Sequence, residues 1–219
     1  MKKISFLSGF ALLISFCSVH AQVTKGSLLL GGGINIYVAE NESDDNSTSY
    51  KQDGFSFSPA IGIAIKDNLV FGGSLVYTYS KYRQGSTSIP NDQKSIGYGA
   101  GIFLRKYKPI GKAFYIFLEG SLAGKYDKSD NTLPSQYNNY KRTSFIVSAT
   151  PGIAFTLSRK LQLETGFNQL LAINYSHEKG DKSPGYNLPY KANSFNFSSS
   201  LTNSLLSSVY FGFRVMLGK

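Results

Sequence analysis

From Phe55 to Ser80 the chain alternates bulky apolar and small or polar side chains with a period of two, broken once by an Asp-Asn pair. Residues 54–66 place Phe55, Phe57, Pro59, Ile61, Ile63 and Ile65 on one face, and Ser56, Ser58, Ala60, Gly62, Ala64 and Lys66 on the other. A period of two is that of a β-strand. Asp67 and Asn68 supply a tight reversal, after which residues 69–82 repeat the split, with Leu69, Phe71, Leu75, Tyr77 and Tyr79 on one side. Both runs exceed the usual five or six residues of a soluble strand and reach the roughly 9 to 11 that a tilted strand needs to cross a bilayer.

The same pattern predicts six more strands, at 26–39, 95–106, 113–126, 142–157, 161–176 and 207–217. Bulky rows such as Ile96, Tyr98, Ile102 and Leu104 alternate with rows dominated by Gly, Ala and Ser, less regularly after Phe167 in 161–176. The connections alternate too. Those at 67–68, 107–112 and 158–160 are short, whereas those at 40–53, 83–94, 127–141 and 177–206 are long and polar. Short turns on one side and long loops on the other are the pattern of outer-membrane barrels; a soluble sandwich or lipocalin-like barrel would alternate too, with its apolar face inward. An eight-stranded barrel has an interior just wide enough for side chains to fill, so the small rows face the axis and the bulky rows face lipid. Closure also satisfies every backbone group where an open edge would be costly. The expected fold is therefore all-β, an eight-stranded antiparallel up-and-down transmembrane β-barrel. Aromatic girdles are expected from Phe55, Phe57, Tyr77, Tyr79, Tyr82, Tyr126, Phe145 and Tyr175 near the long loops, and from Phe71, Phe114 and Phe155 near the short turns.

The first 21 residues carry Lys2 and Lys3, an apolar run from Ile4 to about Phe16, and Val19-His20-Ala21 before Gln22. This is the pattern of a cleaved secretory signal peptide; the run is too short for a membrane-spanning helix. The mature domain is then 22–219. Cleavage removes the only Cys, Cys17, and two of the 23 Lys+Arg but none of the 13 Asp+Glu, leaving a formal charge of +8 and no disulfide. Hydrophobic residues at 42%, aromatics at 14% and 22 Gly exceed the Tyr, Phe and Gly usage of an ordinary soluble enzyme.

The segments "SPAIGIAIKDNLVFGGSL" and "TPGIAFTLSRKLQLETGF" echo one another as two uses of one hairpin solution. With "KGSLLLGGGINI" and the terminal "SVYFGFRVML", the chain resembles the outer membrane protein beta-barrel family, small eight-stranded OmpA/OmpX-type barrels of Gram-negative bacteria. The resemblance covers the mature chain and rests on alternation and turns. It implies location in the bacterial outer membrane, insertion by the barrel assembly machinery, and a monomer among outer-membrane lipid and lipopolysaccharide. Such barrels commonly end on an aromatic residue; this chain ends Met216-Leu217-Gly218-Lys219, which leaves that signal to Phe211 and Phe213.

Lys66, Arg105, Glu119, Lys125, Glu164 and Arg214 fall on the inward parity. Buried charges are tolerated when paired, so Arg105, Glu119, Glu164 and Arg214 are predicted to form one interior ion-pair cluster that fixes the barrel. The "GYGAGIF" run, Gly97–Phe103, lacks the helix that a phosphate-binding loop requires; its glycines are expected to make room for Phe103, Tyr115, Phe117 and Tyr210. Ser176 and His177 are adjacent, so in a strand they point to opposite faces and make a poor nucleophile and base. Glu40, Glu42, Asp44 and Asp45 lack the spacing of a dedicated calcium loop. The outer loops are rich in Lys and Arg, and Lys81, Arg83 and Lys141 are expected to meet anionic lipopolysaccharide head groups. Nucleic acid is not an expected partner, and no cofactor or metal is implied.

Three functions are open. The first is a non-catalytic structural, surface-interaction or adhesion-like role. The second is a narrow channel or transporter for small apolar molecules, suggested by Ala60, Gly62, Ala64, Gly152 and Ala154. The third is a lipid-modifying enzyme.

Overall fold

A computed structural model describes residues 23–42, 48–86, 91–131, 139–158, 160–167, 169–180, 190–199 and 209–218. They form ten strand segments: β1 (Leu28–Glu42), β2 (Thr48–Lys66), β3 (Leu69–Ser86), β4 (Asn91–Pro109), β5 (Phe114–Asn131), β6 (Tyr140–Thr156), β7 (Leu161–Phe167), β8 (Leu171–Gly180), β9 (Tyr190–Ser199) and β10 (Val209–Leu217). Each of β1 to β6 pairs antiparallel with the next. β7 and β8 both pair with β6, in line with one another. β9 pairs with β8, β10 with β7, and β10 returns to β1. Taken as eight staves, the last two each made of two segments, the chain is a closed antiparallel up-and-down β-barrel.

The turn at 67–68 joins Lys66 and Leu69 as register partners. Asn68 has φ 59°, the left-handed conformation that Asn accepts, and the register shifts between Ala64 and Lys66 beside the turn. Gly32, at φ 150°, lies where a Cβ would sit 2.5 Å from the Ser58 carbonyl oxygen. Only glycine lets β1 approach β2 this closely opposite Pro59.

Two expectations are corrected. The strand foreseen over 161–176 is interrupted between β7 and β8, where Gln169 has φ 50° and its N–H donates to Thr150 Oγ1 at 3.2 Å. The link foreseen over 177–206 contains β9. That segment carries only Phe195 and Phe197 as bulky outward residues among Ser and Asn, too few to register as alternation. The described residues of the other long links, apart from Asn139, are also strand. β1 to β6 run past the apolar band as polar ladders, and cross-strand ion pairs such as Lys51–Glu40 (3.3 Å) and Lys81–Asp92 (3.2 Å) replace apolar contacts there.

Inward and outward faces follow the parity. Ile61, Leu75, Ile102, Leu118, Phe145 and Phe213 are exposed, and Phe211 reaches 83%. Val70, Phe103, Tyr107, Tyr115, Phe117, Ala154 and Met216 are buried. Tyr82 does not join the outward girdle: it stands on the inward parity with Tyr50, ring centroids 6.1 Å apart. The short-turn end is closed by residues 23–27, where Asn68 N–H donates to the Val23 carbonyl at 2.8 Å and Lys25 N–H donates to Asp67 Oδ1 at 2.9 Å. At the other end the ladder is looser. β1 pairs with β10 only from Leu28↔Leu217 to Gly32↔Phe213. Among the described residues, β9 is paired along one edge only, with β8, and β1 beyond Gly32 along one edge only, with β2.

Candidate functional site

The interior charges come from four staves. Arg105 of β4 and Glu119 of β5 are register partners, and Arg105 Nε donates to Glu119 Oε2 at 2.7 Å. Arg105 Nη1 crosses the interior to donate to Glu164 Oε2 of β7 at 2.5 Å. The same oxygen accepts from Arg214 Nε of β10 at 2.8 Å, and Arg214 Nη2 lies 3.7 Å from Glu119. All four residues foreseen as a cluster are thus in one. Arg105 is 1% exposed and Glu164 and Arg214 are 7% exposed, so two positive and two negative charges neutralise each other away from water. The Arg105 guanidinium also stacks over Phe117 at 4.1 Å. Lys66 is exposed at the short-turn rim, and Lys125 pairs with Asp127 at 2.8 Å.

The glycines that admit the interior rings are not those of the Gly97–Phe103 run. A Cβ on Gly72 would lie 2.4 Å from Phe103, and one on Gly152 2.3 Å from Phe117. Gly97 instead faces Asp127 and Thr78, and Gly101 faces Ala123. Register decides this assignment, and a single strand's composition does not contain it. Sequence reasoning also missed Gln162, which is 1% exposed and whose Nε2 donates to Thr156 Oγ1 at 3.2 Å, sealing the layer below the ion cluster.

On the outside, the apolar row of each stave ends on a charge at the long-link end. Glu40 follows Val38, Asp53 precedes Phe55, Lys81 follows Tyr79, and Lys94 precedes Ile96. Lys128, Lys141, Lys179 and Lys191 do the same on β5, β6, β8 and β9. Below this collar runs a row of successive register partners, Phe57, Tyr77, Tyr98, Tyr126, Thr143 and His177, with Tyr98 and Tyr126 ring centroids 5.3 Å apart. Of the cations expected to meet lipopolysaccharide, Arg83 pairs with Asp53 at 2.5 Å and Lys81 with Asp92 at 3.2 Å. Lys141 stands in the lysine part of the collar.

Arg142, one residue on, turns inward and pairs with Glu178. The Tyr190 hydroxyl donates to the same carboxylate, at Oε1. Burial pushes the Glu178 carboxyl up, but the Tyr190 hydrogen bond and the Arg142 guanidinium outweigh it and hold it below the usual range. Burial, reinforced by the Glu178 carboxylate, pushes the Tyr190 phenol up to about 12.

Ser176 is buried and shares a 2.7 Å hydrogen bond with Ser194; the outward-facing His177 ring meets Asn193 at 2.7 Å. Glu40 pairs with Lys51. Asp44, Asp45 and the side chain of Glu42 lie outside the described residues, as do residues 1–22. Among the described residues, no three His, Cys, Asp or Glu side chains group as metal ligands. The chain matches no protein-family model and no curated protein.

Proposed function

We propose that the chain is an integral outer-membrane β-barrel with a non-catalytic structural, surface-interaction or adhesion-like role, inserted as a monomer after removal of residues 1–21. The observation that carries this reading is the inversion of the usual burial order. Arg105, Glu164 and Arg214 are buried, while Ile61, Ile102, Leu118, Phe145 and Phe213 are roughly half exposed on a continuous outer surface. In water an apolar surface of that extent is an aggregation liability; in hydrocarbon it is the solvent-matched face. On β4 the band from Ile96 to Leu104 is about nine residues, which at about 3.4 Å per residue and about 40° of tilt rises roughly 23 Å, near the roughly 25 Å of outer-membrane barrels.

The filled interior favours this role over conduction. Of the small residues that suggested a path for apolar molecules, Ala64 and Ala154 are buried, Gly62 abuts Val70, and Gly152 lies beneath Phe117. The paired Arg105, Glu164 and Arg214 side chains occupy the same interior and are buried.

The test is fractionation of the full-length chain expressed in a Gram-negative host. The account expects the protein in the outer-membrane pellet after urea washing, with slower migration on a denaturing gel after boiling. Recovery as a soluble monomer without detergent would overturn it. Conductance in planar bilayers, expected at baseline, separates this role from a channel.

A further inference from the structure

Lys128, Lys141, Lys179 and Lys191 are 12 or more residues apart in the chain, yet the ladder sets them directly opposite one another as Lys128↔Lys141, Lys141↔Lys179 and Lys179↔Lys191. All four are exposed on the outer face. Like charges directly opposite across a ladder are destabilising, and three such pairs in succession are a conspicuous cost. Lys128 has Asp130 at 2.9 Å. Among the described residues, Lys141, Lys179 and Lys191 have no carboxylate at ion-pair distance, unlike Lys51 and Lys81 elsewhere on the collar.

Two hollows bracket this row. One, of about 310 Å³, is lined by Lys128, Asp130, Tyr140, Lys141 and Lys179. The other, of about 720 Å³, lies lower on the barrel, with walls of Phe57, Leu75, Tyr77, Tyr98 and Tyr126 and a floor that includes Ala100 and Gly124. Both are within the size range of ligand clefts. Tyr126 and Lys128 are two residues apart on the same face of β5, as are Thr143 and Lys141 on β6, so the cationic hollow begins about 7 Å along the strands from the apolar one. An anion seated on the lysines with an apolar tail descending over Ala100 and Gly124 would satisfy both. We propose that these two hollows form one site for a phosphate-bearing membrane lipid, its head group on Lys128, Lys141 and Lys179 and one acyl chain in the groove below. The proposal rests on the membrane reading above. The lipid is favoured over free phosphate because the groove is continuous with the outward apolar band.

The chain has no Trp, which permits a site-specific test. Leu75→Trp places a reporter at the groove wall, and Phe213→Trp places one on β10, away from it. The full-length variants are reconstituted in phosphatidylcholine vesicles containing either dibrominated phosphatidic acid or dibrominated phosphatidylcholine at equal mole fraction. The site predicts that the reporter at 75 is quenched preferentially by the brominated phosphatidic acid and the one at 213 by neither lipid over the other. Adding Lys141→Gln and Lys179→Gln should lower the preference about fivefold per lysine. Equal quenching at 75 by the two lipids, with normal quenching by phosphatidylcholine, overturns the site while leaving the membrane reading intact. A change in the emission of the reporter at 75 on adding millimolar pyrophosphate, with no preference between the two lipids, assigns the row to free phosphate and overturns the lipid. Absence of quenching at both positions by both lipids overturns the membrane reading itself.

Discussion

Arg105 and Glu164 are 59 residues apart in the chain and three staves apart in the barrel, and the Arg105 guanidinium reaches the Glu164 carboxylate across the interior. Glu164 also accepts from Arg214. One carboxylate therefore ties three staves together, its own and those of Arg105 and Arg214.

Removing one member strands its partners away from water. Glu164→Gln or Arg214→Met is expected to cost about 3–5 kcal/mol, measured as the urea dependence of unfolding of the lipid-reconstituted barrel. The double variant should cost less than the sum of the two, because the second substitution removes the charge that the first left unpaired. Unchanged stability in either single variant would show that the cluster does not hold the staves.

Gly152→Ala is expected to destabilise by about 1–3 kcal/mol, since the added methyl meets the Phe117 ring at 2.3 Å and the Thr165 carbonyl at 2.6 Å. Gly120→Ala is the matched control. Nothing lies within 4 Å of its Cβ position, so the same measurement should move by less than about 0.5 kcal/mol.

The Tyr190 phenol should ionise near pH 12, seen as the difference at 295 nm between the native chain and Tyr190→Phe. Its folded-state value is raised, so the stability linked to the neutral phenol is complete below about pH 10 and lost as pH rises toward 12. Glu178 has the opposite sign. Its folded-state value is depressed, so its contribution is present above the ordinary carboxylate value of 4.5 and lost as pH falls below it. Glu178→Gln should bring the Tyr190 midpoint down toward 10.

Amide exchange should divide the barrel by height. The described residues of β9 and of β1 from Ile34 to Val38 pair along one edge, so their unpaired amides are expected to exchange faster than those of β4 and β5, which pair along both. Uniform protection across β1, β4 and β9 would contradict the observed edge pattern.

Much of the barrel is legible in period two because the apolar rows are long and the faces contrast strongly. Ile61, Ile102, Phe114 and Phe213 could be assigned outward from parity alone, and Arg105, Glu119, Glu164 and Arg214 inward, since a one-residue slip flips a whole strand. Parity fails where both faces are polar. The extensions of β1 to β6 beyond the apolar band and the whole of β9 are ladders without contrast, so they resemble loops in sequence. Register is likewise invisible to one strand read alone. That is why Gly72 and Gly152, rather than Gly97 and Gly99, prove to admit the rings, and why the lysine row emerges only once β5, β6, β8 and β9 are aligned.

The most direct measurement is a single-cysteine spin-label scan of Ala100 to Arg105 in residues 22–219, which contain no Cys, reconstituted in lipid vesicles. The account predicts a two-residue oscillation, with oxygen accessibility high at 100, 102 and 104 and low at 101, 103 and 105. Oscillation of the opposite phase, or labels at 102 and 104 that report water rather than hydrocarbon, would contradict it.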